Sequence, residues 1–343
     1  MTPTRKRILL GVLWLVPIAC VAWWATRQEA PRLPTSASGI LALVAALGLY
    51  AVATLMRAER WERILRRARV DARRADVYAL TPIGYMGNNV LPARGGELLR
   101  TFLLAARAPG ATRRTVLGTI LAERVLDAIA LGVILVVLAS SLLGDLPAPN
   151  TTVLAAGGGL LALLLLAALV AALRFRERLV FVLEALLPMV QPIKQLWSGQ
   201  GIALLVVSLA IWCVEASVYI AVGRALDVPL SLQDGLAVVA FTNAAALIPA
   251  APGYIGTYDA AVIFAVNAVT DAARRAALSY LILLRFVLFV PITVVGLVLL
   301  IVRYGGLARV RAARAAAREE QRKEAEAAAA KAEAHADPAA STI

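Results

Sequence analysis

Six apolar runs separated by arginine-rich segments constrain this chain more than any other feature of its sequence. Each run is long enough for a membrane-spanning helix, which needs about 17–25 residues at a rise of about 1.5 Å per residue. The runs comprise residues 8–25, 39–56, 115–143, 151–173, 201–223 and 276–302. Of the 343 residues, 61% are hydrophobic and 17% are charged, whereas soluble domains keep about a quarter of their residues charged. The sequence therefore predicts an all-α integral membrane protein with about six full transmembrane helices.

The positive charges indicate how the chain is oriented. The net charge is +13, and the arginines gather in short segments beside the apolar runs, as they do in cytoplasmic loops. We expect a multi-pass protein of the bacterial cytoplasmic membrane with both termini in the cytoplasm. A cleaved signal peptide is the alternative for residues 8–25, but its apolar core would be shorter and an A-x-A-like cleavage site would follow. No nucleic-acid partner is expected, since no soluble segment interleaves basic and aromatic residues.

Side chains suited to metal or nucleophilic chemistry are scarce. Cys20 and Cys213 lie inside apolar runs, and His335 is the single histidine. No nucleophile elbow or phosphate-binding loop occurs. Glu123 and Asp127 could hold a divalent ion in principle, but their motif supplies no third ligand. We therefore expect no catalytic residue, no metal and no cofactor.

Two segments beside the spans combine basic and apolar residues. Residues 57–74 contain eight arginines together with Trp61, Ile64, Leu65 and Val70. This pattern predicts an amphipathic cytoplasmic helix at the level of the headgroups; a solvated charge run that only sets topology is the alternative. Residues 177–198 resemble a second interfacial helix. Residues 1–303 would form the membrane domain, and residues 304–343 an alanine-rich charged tail, partly helical or disordered.

Residues 79–104, ALTPIGYMGNNVLPARGGELLRTFLL, are too polar for a lipid-facing span and too apolar for a surface loop. Irregular backbone at membrane depth is tolerated only where protein covers it or where it lines a wet cavity. The segment therefore predicts a re-entrant helical hairpin. We expect its second helix to begin near Gly95, with free amides at Gly95 and Gly96 facing a site.

The charged residues of this hairpin have two interpretations. In the first, Asn89 and Arg94 join those amides in binding a phosphate or carboxylate, and Glu97 balances the charge. In the second, Glu97 caps the helix while Arg94 and Arg100 extend to the membrane interface.

Residues 235–266 repeat the pattern of the first hairpin. Asparagine, proline and glycine again precede an acidic residue, in the order Asn243, Pro249, Pro252, Gly253, Gly256 and Asp259. The prolines would break the helix and the glycines would permit close approach. We expect this second hairpin to enter from the opposite side of the membrane, which gives an inverted repeat with a site between broken helices. Asn243, Gly253 and Gly256 would bind a headgroup.

Isolated charges inside the apolar runs need partners, because each costs about 2.5–3.5 kcal/mol at the bilayer centre on insertion scales. Glu123, Arg124 and Asp127 lie on one helix, with the two acids on one face. Arg124 could bind an anionic headgroup with the acids as counter-ions or proton carriers, or the three could lock the first hairpin in place through Arg94 or Arg100. Arg285 needs Asp259 or Glu215 as a partner, and both acids are candidate counter-ions.

Four motifs in this order resemble a known family. They are the Arg60–Trp61 pair before an arginine-rich helix, GYMGNNVLPARGGELLR, ERVLD and IPAAPGYIGTYD. Over about residues 8–303 they look like the lysylphosphatidylglycerol synthase transmembrane region, or flippase-like domain family. By resemblance the family's motif positions are Asn89, Pro92, Arg94, Gly96, Glu97, Arg100, Glu123, Arg124, Asp127, Pro249, Pro252, Gly253, Gly256 and Asp259. The family usually has glutamate where this chain has Asp259.

The resemblance implies a membrane domain that moves lipid between leaflets. Because no soluble domain follows Val302, a lipid aminoacyl transferase is not expected. The substrate would be an anionic or zwitterionic lipid, either an aminoacylated phospholipid or a polyprenyl-phosphate-linked lipid. The alternatives are a membrane enzyme or accessory protein in lipid-phosphate or envelope-glycan metabolism, and a proton-coupled carrier of small solutes. Expected partners are membrane lipids, with a second copy of the chain and lipid-modifying or glycan-synthesis enzymes as candidates.

Overall fold

The computed structural model describes residues 32–91, 94–143, 199–245, 252–270 and 274–306. Every regular element in these ranges is helical, so the prediction of an all-α protein is confirmed. The predicted spans 8–25 and 151–173 and the second interfacial helix lie outside the described residues. Pro92, Pro249 and the tail beyond residue 306 lie outside them as well.

Eight α-helices and one short 3-10 turn make up the described part of the chain. They are α1 Ala37–Arg67, α2 Arg74–Val90, α3 Gly95–Ala105, α4 Arg113–Leu143, α5 Gly199–Ala225, α6 Leu232–Ala245, the turn Pro252–Tyr254, α7 Thr257–Val269 and α8 Arg274–Tyr304. Within the described ranges, three stretches are long and apolar enough to cross a membrane: Ala37–Arg67, Gly201–Ala225 and Arg275–Tyr304. They correspond to three of the predicted spans, and a fourth predicted span, residues 115–143, forms α4.

The first of these helices corrects the prediction for residues 57–74. Instead of ending at Met56, α1 continues to Arg67, and its Arg57, Arg60 and Trp61 are 6%, 1% and 0% exposed. The indole Nε1 of Trp61 donates to Thr119 Oγ1 at 3.1 Å. The apolar face of this part of the segment therefore packs against other helices of the protein rather than against headgroups.

Helices α2 and α3 form the first hairpin. The chain leaves the helical conformation at Leu91 and re-enters it after Arg94, which has a left-handed φ of 53°. The new helix begins at Gly95, as the sequence predicts. The two helices approach so closely that a Cβ on Gly96 would lie 1.9 Å from the carbonyl oxygen of Gly84. A larger residue at position 96 would therefore push the helices apart.

Helices α6 and α7 form the second hairpin. The rings of Phe241 and Phe264 stack across it with centroids 5.1 Å apart. Between the helices, Gly253 and Gly256 have φ values of 68° and 93°, which glycine adopts without strain. The predicted close approach at Gly256 is not found among the described residues, since a Cβ there would meet none of their atoms within 4 Å. Backbone conformation, rather than packing, accounts for glycine at this position.

The tips of the two hairpins meet. A Cβ on Gly253 would lie 3.4 Å from the carbonyl oxygen of Asn89, and the Arg94 guanidinium lies 5.8 Å from the ring centroid of Tyr254. The surrounding core is formed by α1 together with α4 to α8, with buried side chains such as Trp212 and Tyr280. This arrangement places residues from the ends of both hairpins, such as Asn89 and Tyr254, beside one cavity.

Candidate functional site

A cavity of about 240 Å³ lies between the hairpin tips. Its lining combines charged, amide and aromatic side chains from both hairpins and from α1, α4, α5 and α8: Tyr50, Tyr85, Asn88, Asn89, Arg94, Arg124, Asp127, Ala128, Leu131, Trp212, Glu215, Tyr219, Asn243, Tyr254, Tyr258, Leu288 and Phe289. The cavity therefore offers both charges and hydrogen-bonding groups inside an apolar helical assembly.

A chain of ion pairs leads from the cavity into the protein. Arg124 donates from Nε to Glu97 Oε1 at 3.0 Å and from Nη1 to Asp127 Oδ2 at 3.4 Å. The other Asp127 oxygen accepts from Arg60 Nη1 at 2.6 Å, and the same nitrogen lies 2.7 Å from Ser208 Oγ. Arg124, on α4, therefore pairs both with Glu97 of the first hairpin and with Asp127 of its own helix.

The chain ends in a second buried pair. Arg100 Nη2 donates to Glu123 Oε2 at 2.8 Å, and the Arg100 guanidinium lies 3.7 Å from the centroid of a Trp61 ring. Arg60 Nη2 lies 3.9 Å from the other oxygen of Glu123. Arg100 is only 3% exposed, so the interpretation in which it reaches the membrane interface is wrong. Glu123 and Arg124 hold the first hairpin against α4, which agrees with the locking interpretation.

Arg57 and Glu215 form a separate buried ion pair between α1 and α5. The two residues are 6% and 7% exposed. The Arg57 guanidinium also lies 5.6 Å from the ring centroid of Trp212 and 5.9 Å from that of Tyr85. Glu215 therefore faces the cavity while a buried arginine behind it balances its charge.

The second hairpin carries its own ion pair. Arg285 of α8 pairs with Asp259, which is the first of the two partners that the sequence suggested. Arg285 Nη1 also donates to the carbonyl oxygen of Gly253 at 3.0 Å. Although aspartate is shorter than the family's usual glutamate, Asp259 reaches Arg285 in this chain. Arg285 therefore holds both the tip of the second hairpin, at Gly253, and the first turn of α7, at Asp259.

The amide groups expected to cradle an anion are used within the protein. The Gly96 N–H donates to Asn88 Oδ1 at 3.0 Å, and the Gly256 N–H donates to Asp259 Oδ2 at 2.9 Å. Gly253 contributes a carbonyl oxygen that is already bound by Arg285. The backbone N–H groups of Gly96 and Gly256 are therefore not free to bind an anion, because neighbouring side chains cap the starts of both helices. The cavity instead presents side chains.

Two amides expected at the site line the cavity. Asn89 donates from Nδ2 to Thr293 Oγ1 at 2.9 Å, and Asn243 donates from Nδ2 to the Val239 carbonyl oxygen at 2.9 Å. Each amide nitrogen thus uses one of its two N–H donors within the protein. Gly95 precedes Gly96 at the start of α3 and is half-buried.

A further charge cluster ties the end of α8 to the start of α2. Asp76 is 4% exposed and accepts from Arg107 Nη1 at 2.9 Å, Tyr304 Oη at 3.1 Å and Arg303 Nε at 3.2 Å. Burial alone would raise the pKa of this carboxyl, but the three donors outweigh it and hold the pKa below its ordinary value of 3.8. Asp76 is therefore a structural anion in this cluster.

A second cavity, of about 740 Å³, lies near the first residues of α1 and the last residues of α5. Its lining includes Arg32 and Asp227 but none of the ion pairs described above. It borders segments outside the described residues, and we assign it no role.

Two arginines of the charge cluster are not recognisable as such from composition alone. Arg57 and Arg60 were predicted to lie among headgroups, although the helical period places them on the same face as Trp61, Ile64 and Leu65. That face is buried. The aromatic lining, including Tyr50, was missed as well.

The family assignment follows from comparison with known proteins. Residues 8–296 match the family model described as the lysylphosphatidylglycerol synthase TM region. This chain belongs to that family. The match covers both hairpins and the whole cavity lining, so the resemblance drawn from the four motifs is confirmed.

One curated relative is a UPF0104 membrane protein of Pyrococcus horikoshii, 27% identical over 126 residues. The match covers 36% of this chain and 37% of that protein's own length. No solved structure matches the chain. Family membership and the apolar helices together support a multi-pass membrane protein, and the family's description suggests a lipid-related role.

Proposed function

We propose that this protein translocates an anionic or zwitterionic lipid between membrane leaflets, and that the cavity between the hairpin tips receives the headgroup. The observation that carries the proposal is that Arg94 and Arg124 line a cavity bounded by the broken ends of both hairpins. Inside a bilayer, such irregular backbone is tolerated where it lines a wet cavity.

The free-energy cost of placing these charged side chains within the membrane supports a transport function over a purely structural role. An ionised side chain at the bilayer centre costs about 2.5–3.5 kcal/mol on insertion scales, and helices can be held together more cheaply by apolar packing. Arg124 and Glu97 also keep 32% and 20% of their side-chain surface exposed. Their pairing is therefore open enough for a phosphate to take the place of a carboxylate on Arg124.

The membrane topology belongs to the same proposal. The two hairpins would be re-entrant from opposite sides of the bacterial cytoplasmic membrane, in an inverted repeat, with both termini in the cytoplasm. Lipid would reach the cavity directly from the membrane. A second copy of the chain and lipid-modifying or glycan-synthesis enzymes are proposed partners, and the chain itself would carry out no bond-making chemistry.

Lipid exchange in reconstituted vesicles tests the proposal. Arg124→Ala removes about 1.5–3 kcal/mol of charge-assisted hydrogen bonding to a phosphate, which corresponds to a loss of about ten- to a hundredfold in exchange rate. Glu97→Gln should slow exchange less, because Asp127 still holds Arg124. Arg63→Ala is the matched control, since Arg63 forms an exposed ion pair with Glu59 on α1 and should leave the rate unchanged.

Unchanged exchange in both Arg124→Ala and Glu97→Gln would reject the mechanism. Turnover of a lipid substrate in detergent micelles, where no leaflets exist, would favour a membrane enzyme instead. A pH-dependent solute uptake that requires Glu123 or Asp127 would favour a proton-coupled carrier.

A further inference from the structure

We propose that Pro291 is a hinge in α8, about which the first hairpin tilts relative to the second and so opens the cavity between their tips. This inference rests on the proposed function, because a headgroup must enter and leave the cavity during translocation. In the structure the two tips are in contact, which is the closed position of this motion.

Helix α8 holds both hairpin tips, one on each side of Pro291. Asn89, at the first tip, donates from Nδ2 to Thr293 Oγ1 at 2.9 Å. Arg285 donates from Nη1 to the carbonyl oxygen of Gly253, at the second tip, at 3.0 Å. At about 1.5 Å per residue, the two anchoring points lie about 12 Å apart along the helix, with Pro291 between them. A bend at Pro291 therefore changes the angle between the two hairpins.

The two halves of α8 belong to different hydrophobic cores. Before Pro291, buried residues such as Tyr280 and Leu284 share one cluster with buried residues of α5, α6 and α7. After it, Leu300 and Tyr304 share another cluster with buried residues of α2 and α3. Each half of α8 therefore packs with a different hairpin.

The second half of α8 is held firmly to the first hairpin. A Cβ on Gly296 would lie 2.5 Å from the carbonyl oxygen of Pro82, so the backbones of α8 and α2 are nearly in contact. At the end of the helix, Arg303 Nε and Tyr304 Oη donate to Asp76 at 3.2 and 3.1 Å. This half of α8 and the first hairpin therefore move as one body.

Pro291 weakens α8 at the junction of the two halves. Because proline has no backbone N–H, α8 lacks the hydrogen bond that another residue would donate to the Val287 carbonyl oxygen. The helix nevertheless continues from Arg274 to Tyr304. Of the three long apolar stretches described above, this is the one with a proline in its interior, and helices kink at such positions.

The expected movement is large enough to measure. Tyr304 lies about 20 Å along the helix from Pro291, so a change of about 20° in the kink would displace that end by about 7 Å. Leu288 and Phe289, just before the proline, line the cavity. The pivot therefore lies beside the site that the tilt opens.

The attachment of the first hairpin to α4 includes an ion pair that a ligand can exchange. Glu97 pairs with Arg124 at 3.0 Å, and Arg124 keeps 32% of its side-chain surface exposed. A phosphate bound by Arg124 competes with Glu97 and weakens this contact. Since a ligand favours the state for which it has the higher affinity, headgroup binding promotes the tilt.

Distances between spin labels in lipid nanodiscs test the hinge. The labels are attached to cysteines at Ala106, at the end of α3, and at Ile202, near the start of α5, after both native cysteines have been replaced by alanine. Both positions are exposed. Double electron–electron resonance should show two populations whose distances differ by about 5 Å or more.

Pro291→Ala restores the hydrogen bond to the Val287 carbonyl oxygen, so the share of the tilted population should fall about tenfold. Pro291→Gly restores the same N–H but keeps the helix easy to deform, so it should retain a larger share than Pro291→Ala. Val290→Ala is the matched control, since Val290 is an exposed neighbour, and should match the wild type. Identical distance distributions in the wild type and Pro291→Ala would overturn the hinge.

Lipid exchange in vesicles separates the hinge from the proposed function. Pro291→Ala should slow exchange about tenfold while raising the temperature of thermal unfolding, because alanine is the better helix former. An unchanged exchange rate in Pro291→Ala, beside an active wild type, would overturn the hinge and leave translocation in place. No protein-dependent exchange by the wild type would reject the proposed function, whereas the distance distributions would still decide whether α8 bends at Pro291.

Discussion

We expect Arg57→Met to destabilise the protein more than the double variant in which Glu215 is also replaced by methionine. Arg57 and Glu215 are 6% and 7% exposed and pair with each other. Among the described residues, Glu215 has no second ion-pair partner. Arg57→Met therefore leaves a buried carboxylate uncompensated, and removing one member of a buried pair costs about 3–5 kcal/mol.

The double variant removes both charges. Apolar residues of similar volume often replace a buried ion pair at little cost in stability. Arg57→Met also loses the contact of the guanidinium with the Trp212 ring, worth about 0.5–2 kcal/mol, but both variants share this loss. Glu215→Met likewise leaves Arg57 uncompensated, so the two single effects should exceed the effect of the double variant by at least about 3 kcal/mol, which is the coupling free energy between the two positions.

The assay is equilibrium unfolding of the four proteins of this double-mutant cycle in mixed micelles, followed by circular dichroism. Arg63→Ala serves as the control, since an exposed pair on a helix contributes about 0.3–0.5 kcal/mol. A coupling free energy below about 1 kcal/mol, with additive effects of the single variants, would refute the account of a tightly paired buried cluster.

Two further predictions concern the first hairpin and its attachment. Gly96→Ala should lower the free energy of unfolding by about 1–3 kcal/mol or more, because its Cβ would clash with Gly84. Gly48→Ala, where a Cβ meets no atom of the described residues within 4 Å, should instead stabilise α1 by about 0.5–1 kcal/mol in the same unfolding assay. Equal effects of the two substitutions would contradict the close approach. Asp76→Asn should be less stable than the wild type at neutral pH. Because the pKa of Asp76 is lowered in the folded protein, its carboxylate stabilises the fold at pH values above 3.8, and this contribution is lost as the pH falls through the lowered pKa. Thermal unfolding should therefore show the difference between the two proteins shrinking as the pH falls below 3.8. A difference that grows on acidification would contradict the role of Asp76.

Local signals in the sequence were sufficient to predict the hairpins. Proline and paired glycines close together favour a break in a helix, so the start of α3 at Gly95 and the position of Asp259 near the start of α7 could be predicted from the chain alone. Isolated charges in apolar runs need partners, and this reasoning led to the Arg285–Asp259 pair.

Tertiary contacts limited the rest of the prediction. The number of arginines in residues 57–74 suggested a headgroup-level helix, and only packing reveals that Arg57 and Arg60 turn inward beside Trp61. Likewise, glycines at the start of a helix suggest backbone N–H groups that are free to bind a ligand. Only the fold shows that the Gly96 N–H donates a hydrogen bond to Asn88 Oδ1. The helical period could have identified the two buried arginines, because it places them on the same helix face as Trp61, Ile64 and Leu65. Where large apolar residues share a face in this way, the period predicts burial better than the number of charges does.

The central claim is that the two hairpin tips form a headgroup site within the membrane. An experimental structure in nanodiscs that contain phosphatidylglycerol tests it most directly. We expect the contact between Asn89 and Gly253 to lie below the headgroup level, with phosphate density within hydrogen-bond distance of Arg94 or Arg124. Hairpin tips in bulk water, or a cavity that stays without lipid while headgroups are ordered elsewhere around the protein, would contradict the claim.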